Sequence, residues 1–188
     1  ARVKGKEGIK ILQGPAGVYQ TLYLRKHCDV GQACKEYPDF EPIMRSRHLR
    51  AAVEYAIDRE QLAEIANGGV PIRFRASPNS EYMIPEFAGE SANVYDPEMA
   101  KAYLDEWRDL HQKPGDYKPE ITFSAPRENI GMEGEMAQVI ADWLEEVGFE
   151  VNLEVMGYDA YREQISGKGL NRDVSMQTLG LMLFLTGR

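Results

Sequence analysis

The chain has 188 residues, of which 43% are hydrophobic and 28% charged, and its formal net charge is −8. These values are ordinary for a globular protein, and the length makes one domain, residues 1–188, the default expectation. The acidic balance argues against a nucleic-acid binder, because such proteins usually present a basic surface. The sequence has no apolar run of the about 18 residues that a transmembrane helix needs.

The first predicted element is a strand over residues 18–25, which are rich in β-branched and aromatic side chains. A loop with both cysteines of the chain, Cys28 and Cys34, follows it. Their spacing fits neither a redox C-x-x-C motif nor a common zinc site. We favour a local disulfide, which would imply an exported protein, over free buried thiols, and both over metal binding.

Residues 44–67 predict two abutting helices that share one buried face. Leu49, Ala52 and Val53 belong to an apolar stripe with helical spacing. Asp58 then breaks the pattern as an N-cap, with Gln61 three residues later in a capping-box arrangement. The arginines of this stretch are expected to face solvent.

An irregular segment over residues 68–93 follows, and long loops of this kind are often functional. It contains three aromatic and two basic side chains that could line a cavity or pin the loop onto the core: Arg73, Phe74, Arg75, Tyr82 and Phe87. The residues alone leave both interpretations open.

The second half of the chain predicts alternating helices and strands. Asp96 and Pro97 begin a helix on which Trp107 lies in the apolar stripe, so Trp107 is expected in the core. A strand over residues 120–125, a helix over 131–147 and a strand over 149–155 form a β-α-β unit with a parallel strand pair. A short helix over 159–166 and a strand over 173–179 complete it. The fold class is therefore α/β, a mixed sheet with flanking helices.

No known catalytic motif is present. The chain lacks a nucleophile elbow, a zinc-protease helix motif, a phosphate-binding loop and a dinucleotide fingerprint. The three histidines, His27, His48 and His111, are far apart, and each is interpreted as a surface or satisfied side chain. We expect no catalytic residues, no metal and no cofactor.

Three separated segments resemble the oligopeptide, dipeptide and nickel-binding family of solute-binding proteins of ABC importers. They are LRAAVEYAIDRE at residues 49–60, YDPEMAKAYL at 95–104 and AQVIADWLEEVGFEVNLEV at 137–155. Because the three segments occur in the family's order and spacing, together they are far more specific than any one of them alone. It covers about residues 18–181.

The resemblance implies a periplasmic-binding-protein type II-like fold, of which this chain is the C-terminal lobe only. Residues 1–16 would be a connecting segment and the C-terminal end truncated. The implied protein is exported, binds a peptide or other small solute between two lobes and delivers it to ABC permease subunits. It would meet the membrane only through the permease and bind no nucleic acid. The alternatives are a ligand-sensing, receptor-docking domain of the same family and, less favoured, a small α/β enzyme.

Ligand contacts in this family come from the irregular loop and from the stretch after the last predicted strand. Asp173 and Gly180 match the acid and the glycine of the family pattern there, whereas Leu181 replaces a tryptophan and Phe184 an aspartate. An apolar tip would suit a less charged or bulkier solute, or would pack against the other lobe. The resemblance thus implies these ligand-binding residues: Arg73, Phe74, Arg75, Tyr82, Phe87, Gly180, Leu181 and Phe184.

Overall fold

A mixed β-sheet lies at the centre of the fold. The computed structural model describes residues 18–24, 43–66, 95–128, 132–164 and 173–180. Within them the strands are β1 (Val18–Leu24), β2 (Glu120–Pro126), β3 (Glu150–Met156) and β4 (Val174–Gly180). Their order in the sheet is β1-β4-β2-β3, with β2 parallel to β3 and β4, and β1 antiparallel to β4. The predicted mixed sheet and its parallel pair are confirmed.

Helices connect and cover the strands. In the described ranges they are α1 (Arg47–Tyr55), α2 (Arg59–Ala66), α3 (Pro97–Leu110), α4 (Glu133–Val147) and α5 (Tyr158–Glu163). A 3-10 turn at Ile43–Arg45 precedes α1. The crossovers β2-α4-β3 and β3-α5-β4 run in opposite directions across the sheet. Because parallel crossovers are right-handed, α4 and α5 lie on opposite faces of the sheet.

The helix pair α1 and α2 follows its sequence pattern closely. Leu49 and Ala52 are fully buried in the core, and Asp58 Oδ1 accepts a hydrogen bond from the Gln61 backbone N–H at 3.0 Å. The expectation that the arginines face solvent is wrong for Arg50. Its guanidinium is partly buried and donates to the Met44 and Arg45 carbonyls at 2.8 Å each, because these carbonyls precede α1 and lack helical partners.

The sheet is apolar on one face and largely polar on the other. Ile121 and Phe123 of β2 are fully buried in the core, which they share with buried side chains of α3 and α4. The opposite face of β2 carries Thr122 and Ser124, and Ser124 is also fully buried. In β3, which lies at one side of the described sheet, the outward Asn152 is exposed. Polar groups between the sheet and α5 must therefore find partners inside the protein.

Candidate ligand-binding edge of the sheet

One edge of the sheet collects the carboxyl ends of three parallel strands. Pro126, Met156 and Gly180 are the last residues of β2, β3 and β4, and Val18 at the start of β1 pairs with Gly180. In open α/β sheets ligands bind in the crevice outside the carboxyl ends of the strands. We call this side of the sheet the carboxyl edge, and it is the candidate functional site.

The chain that leaves β2 is held against its neighbours at this edge. The Arg127 backbone N–H donates to the Met156 carbonyl of β3 at 2.6 Å. The first turn of α4 then folds back, and a Cβ at Gly134 would lie only 2.9 Å from the Arg127 carbonyl oxygen. Glycine at this position therefore permits a close approach that a side chain would prevent. As a result, the exposed Arg127 and Glu128 side chains stand at the edge on a fixed backbone.

The hydrogen-bonded ladder between β4 and β2 ends before the carboxyl edge. Its parallel pairing with β2 comprises only Phe123 with Val174 and Ser124 with Ser175. Its antiparallel pairing with β1, in contrast, runs over the whole strand, from Leu24 with Val174 to Val18 with Gly180. Among the described strands, the last residues of β4 therefore pair with β1 alone. Within the described residues, the ladder between β2 and β4 does not reach the carboxyl edge.

Asp173 is an anchor of the sheet at the opposite end of β4. Its Oδ2 atom accepts from the Thr122 backbone N–H at 3.0 Å, and its own N–H donates to the Thr122 carbonyl at 3.1 Å. The residue is only 7% exposed. Its carboxylate therefore holds the start of β4 beside β2 and lies away from the carboxyl edge. The sequence pattern marked the acid, but only the strand register reveals this role.

Of the predicted ligand-binding residues, the structure places Gly180 at the carboxyl edge. The others lie outside the described residues, and so do the two cysteines: Arg73, Phe74, Arg75, Tyr82, Phe87, Leu181, Phe184, Cys28 and Cys34. These assignments remain predictions.

The two histidines that the structure describes each contact α3. His48 Nε2 lies 3.6 Å from Glu106 Oε2, and His111 Nδ1 lies 2.8 Å from the Trp107 carbonyl, which belongs to the preceding turn of α3. In the described ranges, histidine, cysteine and acidic side chains form no group of three that could hold a metal ion. Within the same ranges, no helix combines the length and apolarity needed to cross a membrane.

Solved structures share this fold over most of the chain. NikA from Staphylococcus aureus in complex with Ni(L-His)2 has a TM-score of 0.62 at 16% identity, covering 96% of this chain and 34% of that one. Lactococcal OppA with an endogenous peptide, in the closed conformation, has a TM-score of 0.63 at 18% identity, covering 95% of this chain and 35% of that one. The dipeptide binding protein from Pseudoalteromonas sp. SM9913 in complex with Met-Leu has a TM-score of 0.58 at 19% identity, covering 74% of this chain and 26% of that one.

This chain thus spans about a third or less of the length of these structures. No curated protein sequence matches it significantly. Residues 1–182 match the family model for the middle region of the bacterial extracellular solute-binding proteins of family 5. The match includes all three segments on which the resemblance rested. The chain belongs to the family 5 extracellular solute-binding proteins.

Proposed function

We propose that this chain is part of the solute-binding component of an ABC importer. In this proposal it binds a peptide or other small solute between two lobes and delivers it to a membrane permease. The observation that carries the proposal is the family match over residues 1–182. Two structures of the same fold support it, since one is complexed with a peptide and the other with a nickel-histidine complex.

The ligand would lie against the carboxyl edge. The ladder between β2 and β4 ends before it, and Gly180 directly precedes in sequence the segment with the predicted contacts Leu181 and Phe184. The irregular loop would add Arg73, Phe74, Arg75, Tyr82 and Phe87. A second lobe would close the site from the other side by hinge motion, as two-lobed binding proteins do.

A binding role without turnover agrees with the surroundings of two pairs of adjacent acidic residues on the helices. The side chains of Asp105, Glu106, Glu145 and Glu146 are exposed on helix faces. A general acid or base needs a carboxyl group within hydrogen-bond reach of a bound substrate in a cleft. We therefore propose a non-enzymatic protein that acts outside the cytoplasm, where importer-binding proteins collect their solutes.

A thermal-shift screen on the natural full-length protein tests the proposal. The probes are pooled peptides of two to five residues and Ni²⁺ with L-histidine, each with a buffer blank. A ligand at 100 times its Kd stabilises the folded state by about 2.7 kcal/mol, so a true ligand raises the Tm measurably. Turnover of a probe, or the absence of any shift across the panel, would count against a solute-binding role.

Two matched variants locate the site once a probe binds. Phe184→Ala removes a predicted apolar contact and is expected to weaken probe binding about tenfold or more. Leu110→Ala removes a side chain of similar size that is 64% exposed at the end of α3, and it is expected to leave binding unchanged. Equal affinities for the two variants in isothermal titration calorimetry would refute the predicted position of the site.

A further inference from the structure

Successive residues of β2 direct their backbone N–H and carbonyl groups alternately at β4 and at β3. The N–H and the carbonyl of Thr122 both bond to Asp173 at the start of β4, whereas the Arg127 N–H bonds to Met156 of β3. Backbone groups of alternate residues in a strand point to the same side. Ser124 and residue 126 therefore also direct their backbone groups at β4.

Residue 126 is a proline, which has no N–H to donate. Because Ser124 pairs with Ser175, residue 126 would stand opposite Gln177 if the parallel ladder continued. In a parallel ladder its N–H would then donate to the carbonyl of the residue before that partner, which is Met176. Pro126 thus ends the ladder after Ser175 and deprives the Met176 carbonyl of its expected donor.

A side chain supplies the missing hydrogen bond. The Tyr161 hydroxyl of α5 donates to the Met176 carbonyl. Tyr161 is 2% exposed and Met176 is 3% exposed, so solvent water does not compete freely for this carbonyl. Burial raises the pKa of Tyr161 to about 12, which keeps its hydroxyl protonated at ordinary pH. Tyr161 is the buried residue of α5, whose other side chains are exposed.

We propose that Tyr161 is a positioning residue whose hydroxyl replaces the missing N–H of Pro126 at the Met176 carbonyl. The proline ends the hydrogen bonding between β4 and β2, and the tyrosine binds β4 where that bonding ends. Together they set the direction in which β4 runs towards Gly180. That this direction matters for a ligand rests on the proposed function, whereas the hydrogen-bond replacement itself does not.

Hydrogen exchange of the ligand-free full-length protein tests the replacement. Tyr161→Phe keeps the ring and removes the donor, so the amides of β4 near Met176 are expected to exchange about tenfold faster. Pro126→Ala restores a backbone N–H at the right register. In the double variant, which carries both Tyr161→Phe and Pro126→Ala, the same amides are therefore expected to exchange within about threefold of their rate in Pro126→Ala alone. Comparison of the parent, the two single variants and the double variant isolates this rescue.

Tyr158→Phe is the matched control, because this tyrosine lies on the same helix and is 40% exposed. In the Tyr158→Phe variant, the β4 amides are expected to exchange at the same rate as in the parent protein. The proposal is overturned if Tyr161→Phe leaves exchange in β4 unchanged, or if Pro126→Ala fails to rescue it. No ligand is present in this experiment. A failed ligand screen would therefore leave the assignment standing, and a failed rescue would leave the proposed function standing.

Discussion

At the scale of the residue, Arg108 joins three separate pieces of the chain. It is 8% exposed near the end of α3. Its Nε donates to the Tyr117 carbonyl at 2.7 Å, its Nη1 to Asp105 Oδ1 at 2.7 Å, and its Nη2 to the Gly148 carbonyl at 3.4 Å. The guanidinium thereby ties α3 to the turn before β2 and to the end of α4. A planar group with several fixed donors suits this arrangement, and a lysine does not.

Arg108→Lys is expected to lower the free energy of unfolding by about 1–3 kcal/mol, since the partly buried carbonyls of Tyr117 and Gly148 lose their donor. Urea denaturation followed by circular dichroism measures the change. The matched control is Arg162→Lys on α5, where the side chain is exposed and a change within about 0.5 kcal/mol is expected. Equal denaturation midpoints for the two variants would show that the Arg108 contacts do not stabilise the fold.

At the scale of the element, the end of α4 decides where β3 begins. Strict alternation predicted that the strand begins at Phe149, but β3 begins at Glu150. The Phe149 N–H donates to the Leu144 carbonyl at 3.0 Å, and the Gly148 N–H donates to the Leu144 and Glu145 carbonyls. Phe149 therefore belongs to a helix-ending motif that supplies donors to the last carbonyls of α4.

Gly148→Ala tests this motif. Gly148 has a φ of 115°, and a Cβ there would lie 3.0 Å from Arg108 Nη2. The substitution is expected to cost about 1–2 kcal/mol of stability, because an L side chain is strained at this φ. At Gly115 an added Cβ would meet no atom within 4 Å, so Gly115→Ala serves as the control with little or no loss. Thermal unfolding that ranks the two variants equally would contradict the prediction.

At the scale of the whole molecule, the two ends of the described parallel strands differ in their surroundings. The amino ends of β2 and β3 lie close to the ends of α3 and α4, where the Glu150 N–H donates to the Pro119 carbonyl at 3.0 Å. Towards the carboxyl edge, by contrast, the ladder between β4 and β2 ends after Ser124 and Ser175. In the proposed function a second lobe meets this edge, which explains why one lobe by itself would form only half of the ligand site.

The predicted Cys28–Cys34 disulfide bears on where the whole protein works. A structural disulfide persists in oxidising compartments and rarely in the cytosol. In protein purified from its natural compartment, we expect iodoacetamide to leave both cysteines unmodified until dithiothreitol is added. Mass spectrometry of the alkylated protein measures this. Rapid alkylation of both thiols in the unfolded protein without a reductant would argue against the disulfide and weaken the case for export.

The sequence by itself determined the kinds of elements and their order. Asp58 and Asp96 are the caps that their spacing predicted, Trp107 is in the core, and β2, α4 and β3 form the expected parallel unit. These features depend on neighbours within a few residues or on a single periodic stripe, so a local pattern contains the necessary information. The family resemblance used the same short segments.

Only the tertiary structure decided which distant residues meet. Thr122 and Asp173 are 51 positions apart, and the register of β4 beside β2 directs the missing N–H of Pro126 at the Met176 carbonyl. Neither this register nor the burial of Arg108 follows from periodicity, because each depends on how strands and helix ends align in space.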